Sequence, residues 1–124
     1  ADYTNTFVRL TLDRDGQDGH DLDGTDPLFS TEAFSAWRTR WHARLDEQAQ
    51  NPQETAARMK SANPFVIPRN ALVEAALEAA EARDMKPFNA LLSILQRPFA
   101  PESNIRAYQK VPKDSREYMT FCGT

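Results

Sequence analysis

Apolar positions along the chain recur mostly at helical spacing, and prolines cut the pattern into separate segments. Tyr3, Phe7 and Leu10, with Val8 beside them, predict an N-terminal helix of about three turns. Phe34, Trp37, Trp41 and Leu45 run along one side of a second helix, with Arg38, Arg40, Arg44, Asp46 and Glu47 largely away from it. Ser30 or Thr31 supplies its cap. This spacing is that of a buried stripe, so the second helix is expected to carry an aromatic core. Asn51, Pro52 and Glu54 then give a start signal: a cap residue, a proline at the first helical position and a glutamate three residues after the cap. They predict a third helix ending near Lys60.

The stretch 59–95 organises the rest. Asn63 with Pro64 and Ile67 with Pro68 bracket an apolar bridge that should lie extended, because each proline disfavours helical geometry in the residue before it. After Pro68 the helical period returns, with Leu72, Ala75, Ala76 and Ala79 on one arc and Glu74, Glu78 and Glu81 on another. Asp84 is placed to cap a further helix in which Pro87 sits in the first turn. In that helix Phe88, Leu91, Leu92 and Leu95 repeat on one face, and Pro98 ends it. Pro98, Pro101 and Pro112 break the remainder into short pieces, with one or two turns expected over 105–108. The predicted fold is therefore all-α: about five helices in an irregular bundle, one helical domain over 1–124, and a proline-rich extended tail over 98–124 that drapes over the surface. No internal repeat and no convincing strand pattern is visible, although 117–121 would suit pairing with a strand in a longer chain.

Composition narrows the class. The 124 residues suit a single compact domain with a modest core, and 40% hydrophobic with 27% charged residues is ordinary for a soluble globular protein. No apolar run approaches the roughly 20 residues that cross a membrane, and no signal peptide is visible at the N-terminus. The chain starts without Met and reads as a piece of a longer protein. Its net charge of −3 argues against a nucleic-acid partner. A single cysteine, Cys122, forbids an internal disulfide and fits a reducing cytoplasm.

The candidate chemistry is sparse. Segment 13–26 holds six aspartates, three of the four glycines and one arginine, a local charge of −5, and reads as a solvated flexible loop. Within it Asp21, Asp23 and Thr25, followed by Glu32, match positions 1, 3, 5 and 12 of a calcium-binding loop. The position that needs glycine is Asp26, with Pro27 next, so an exposed insertion loop is the stronger reading. His20 and His42 have no second His or Cys at ligand spacing. The helix pair around Asp84 has an acidic first member and no basic run in its second, which argues against a DNA-binding motif. Arg69 and Asn70, directly after a proline, are placed to clamp the bridge by hydrogen bonds to backbone groups. No glycine-rich phosphate loop, no paired Lys and Glu of a kinase-type site and no Asp-Phe-Gly element is present, so no catalytic residue is assigned. Cys122, third from the end beside Gly123, is an accessible thiol.

The run NPFVIPRN, then VEAALEAAEARDMKPFNALLSILQRPF, Tyr108 and the ending TFCGT resemble the C-terminal part of the selenoprotein O family. Upstream, DYTNTFVRL, AFSAWRTRWHARL and AARMKSANP are similar to the segments that precede it there, and only 13–26 falls outside the likeness. Members of that family are kinase-like proteins that transfer AMP from ATP to protein side chains. The resemblance implies a parent protein that uses ATP with Mg or Mn to modify Ser, Thr or Tyr of substrate proteins, with no cofactor held by the present residues. It also implies that the segment packs against an upstream kinase-like domain. Cys122 stands where the family carries cysteine or selenocysteine, linked to redox control through a disulfide to a cysteine outside these residues. The alternative reading is a stand-alone helical module that binds a partner peptide or helix.

Overall fold

A computed structural model describes residues 2–16, 26–48, 50–100 and 105–111 of the chain. These are all-α, with five helices of 10 to 15 residues, a sixth of four residues and one 3₁₀ turn, and no strand among the described residues. No helix among them is long and apolar enough to cross a membrane. From its length one compact domain was the expectation; the chain forms two compact units, Ala1–Pro64 and Phe65–Thr124. The division falls inside the proline-bracketed bridge, where neither neighbouring helix can extend its hydrogen-bond ladder.

In the first unit, α1 spans Tyr3–Arg14, capped by Asp2, whose carboxylate accepts from the Asn5 amide at 2.9 Å. It packs against α3, Pro52–Ala62, with Val8 and Thr11 on the one and Thr55 and Ala56 on the other buried. The buried Thr11 hydroxyl donates to the Phe7 carbonyl at 2.7 Å, so it enters the core without an orphaned polar group. Lys60 Nζ donates to Asp15 Oδ2 at 2.6 Å and ties the end of α1 to α3. Tyr3, expected on the apolar face, is instead 78% exposed and leans on the Phe7 ring, because the buried stripe runs through Val8 and Thr11. The helix also continues through Asp13 and Arg14, so the acidic segment begins inside α1 and not in a loop. Residues 17–25 of that segment, with Asp21, Asp23, Thr25 and His20, lie outside the described residues.

A 3₁₀ turn, Pro27–Ser30, leads into α2, Glu32–Asp46. Of the two expected cap candidates Thr31 is used, its hydroxyl accepting from the Phe34 amide at 3.1 Å. Asn51 caps α3 as expected, accepting from the Glu54 amide at 2.8 Å with Pro52 at the first position. The aromatic stripe of α2 departs from expectation. No residue of α2 is buried, Trp37 is 39% exposed, and Phe34, Trp41 and Leu45 are only half-buried. The rings cover one another along the helix: Phe34 against Trp37 at 5.5 Å, then Trp37 stacked on Trp41 at 5.8 Å, nearly parallel at 8°.

The second unit contains α4, Asn70–Glu81, α5, Lys86–Leu95, and α6, Arg106–Gln109. The α4 and α5 helices pack as a hairpin in which Ala76, Leu91 and Ile94 are buried. Its turn is a Schellman motif: the Asp84 amide donates to the Ala79 carbonyl at 2.8 Å and the Arg83 amide to the Ala80 carbonyl at 2.9 Å. Arg83 has φ of 66°, a left-handed conformation that usually falls to glycine. Asp84 accepts from the Lys86 amide at 3.1 Å, which organises the entry to α5, although Met85 is the formal cap position.

The bridge is extended, as its prolines require, and Phe65 and Val66 are both buried. Its buried polar groups find partners from far along the chain. The Phe65 amide donates to the Pro98 carbonyl at 2.7 Å, and Gln109 Nε2 donates to the Phe65 carbonyl at 2.8 Å. The tail expected to drape over the surface is therefore built in where it is described, with Ile105 and Gln109 buried. Residues 101–104 and 112–124, including 117–121, lie outside the described residues.

Candidate functional site

Two places in the described residues concentrate chemistry, one in each unit. The first lies where α1 meets α2. Asp13 accepts from Arg38 through Nε, at 2.9 Å, and Nη2, one edge of the guanidinium, and lies 2.8 Å from His42 Nε2. The other ring nitrogen of His42, Nδ1, lies 3.5 Å from the Arg14 guanidinium. Arg14 is buried and pairs with the exposed Asp46 carboxylate at 3.0 Å. Burial pushes the Asp13 carboxyl up, but hydrogen bonds from Arg38 and His42, aided by their charges, outweigh it and hold the group below the usual carboxylate range. The Asp13 hydrogen bond in turn raises Arg38 above its ordinary value.

Beside this cluster opens a cleft of about 250 Å³, lined by Arg9, Asp13, Phe29, Phe34, Ser35 and Arg38 among others. Arg9 lies over the Phe29 ring at 4.0 Å, and Phe29 meets Phe34 edge to face at 4.9 Å. Ser35 lines the cleft, but His42 is not among the residues that line it and its Nε2 lies against Asp13. No nucleophile is paired with a free base there among the described residues, and the cluster acts as a structural tie. The sequence reading set His42 aside as ordinary and missed Asp13, Arg14 and Asp46. A signal was available, because Arg38, His42 and Asp46 recur every four residues and form a polar stripe beside the aromatic one.

The second place is an apolar groove of about 150 Å³ between α4 and α5, lined by Val73, Ala76, Leu77, Phe88, Leu91, Leu92 and Leu95. The α5 heptad-like pattern anticipated one wall of it, and Leu91 is buried at its floor.

The structure scatters the residues singled out from sequence. Asn63 closes α3, its amide donating to the Met59 carbonyl at 2.9 Å, and Pro64 follows it at the end of the first unit. Pro68 is exposed at the far end of the bridge. Arg69 is the cap residue of α4, its carbonyl accepting from the Leu72 and Val73 amides, but it makes no side-chain cap bond. Asn70 is exposed in the first turn. The Phe65 end of the bridge is held by Pro98 and Gln109, which sequence could not nominate because both lie more than 30 residues away. Glu32 sits in the first turn of α2, and Asp26 caps the 3₁₀ turn, accepting from the Leu28 amide at 3.0 Å. Among the described residues no group of three or more His, Cys, Asp or Glu side chains converges as a metal site would need. Cys122 lies outside the described residues.

Comparison with known proteins supplies what the geometry does not. The family model described as protein adenylyltransferase SelO matches residues 1–96. A protein nucleotidyltransferase YdiU from Clostridium beijerinckii is 43% identical over 125 residues, covering all of this chain and 24% of the relative. Proteins of the same name from Halalkalibacterium halodurans and Rhizobium johnstonii are 42% and 41% identical over 126 residues, again across the whole chain and 24% and 25% of their own lengths. The matched spans include the acidic segment 13–26 that the resemblance had left out. No solved structure matches the chain. The chain thus spans about a quarter of the length of these curated relatives, and it belongs to the SelO protein adenylyltransferase family.

Proposed function

We propose that these residues are a helical part of a protein adenylyltransferase and dock against an upstream kinase-like domain of the same polypeptide. That domain binds ATP with Mg or Mn and attaches AMP to Ser, Thr or Tyr of substrate proteins in the cytoplasm. The observation that carries this reading is the family match over residues 1–96, together with whole-chain identity to proteins named nucleotidyltransferases. The residues of this chain do not fit a nucleotide site. Three of its four glycines lie in one aspartate-rich segment, which would repel phosphate. The groups that hold ATP and the metal are therefore assigned to the remaining three quarters of the protein. The present helices are a structural support, and Cys122 is a redox-responsive thiol whose pairing cysteine lies outside these residues.

The test is transfer of labelled AMP from ATP by the full-length protein under reducing conditions, compared with a version lacking these 124 residues and with these residues alone. Activity in the full-length protein only, with the shortened version still folded, supports the reading. A shortened version that keeps full activity removes the supporting role, and a full-length protein with no transfer removes the enzymatic one.

A further inference from the structure

We draw no further inference here: the strongest candidate, the cleft between α1 and α2, belongs to the charge cluster already described, since Arg38 is held by Asp13 and Arg9 lies over Phe29, and no group at it singles out a ligand.

Discussion

The α1 and α2 helices of the first unit and the α4 and α5 helices of the second are both helix pairs, but they are held by different forces. The first pair meets through the tips of long side chains, with Asp13 gripping Arg38 and His42, and Arg14 reaching Asp46. Its aromatic side chains pack along α2 itself, and no α2 residue is buried. The second pair meets through apolar groups, with Ala76, Leu91 and Ile94 buried and no ion pair among the described residues between the two helices. Directional charge contacts set the geometry of a pair at modest net gain, whereas apolar burial supplies stability without direction. The first arrangement should therefore respond to pH and salt, and the second to changes in volume.

The largest effect is expected in the second pair. Leu91→Ala should cost about 3 kcal/mol in urea unfolding of the chain, with little dependence on salt. A loss below about 1 kcal/mol would mean that the α4 and α5 seam is not a core. Next comes Asp13→Ala, at about 1.5 kcal/mol near neutral pH, because two charge-assisted donors lose their acceptor while solvent around the half-exposed Arg38 screens part of the loss. Arg38→Ala should cost less, since His42 keeps its bond. Because the Asp13 carboxyl is held below its ordinary value of 3.8, its contribution is fully present above that pH and disappears as pH falls through the lower folded value. Acid titration of the Asp13→Ala variant should lack that phase; an identical acid profile would break the contrast between the two pairs.

Smaller effects refine it. Arg83→Gly should stabilise the hairpin by about 1 kcal/mol, because glycine adopts the left-handed turn without the cost that Arg83 bears there. A destabilisation would show that the arginine side chain makes up for its backbone. Trp37→Ala should cost less than about 1 kcal/mol in these 124 residues, since the ring is open to solvent and loses only its stacking on Phe34 and Trp41. A cost near that of Leu91→Ala would restore the aromatic stripe to a core.

The helices were legible residue by residue. Thr31 and Asn51 announced their caps, the prolines at 64 and 68 announced the break, and the repeat of Phe88, Leu91, Leu92 and Leu95 announced the α5 seam. The stripe of Phe34, Trp37, Trp41 and Leu45 was equally clear, yet periodicity reports only that a face is apolar, not that another element covers it. The same gap explains Tyr3, which shares its helix with Val8 but not its burial. The charge cluster around Asp13 was hidden because a run of six aspartates reads as loop, and only the continuation of α1 through Arg14 sets the first of them against α2.

By itself, then, the sequence determined the starts of the second and third helices, that the chain is all-α, and the family to which it belongs, because caps, prolines and motif order are local properties of the polypeptide. Tertiary structure alone decided that Gln109 and Pro98 hold Phe65, that Asp13 anchors Arg38 and His42, and that the apolar face of α2 stays open while that of α5 is partly closed. Those outcomes depend on which surfaces distant segments bring together, and a buried carbonyl or carboxylate takes its partner from whatever the fold places within about 3 Å.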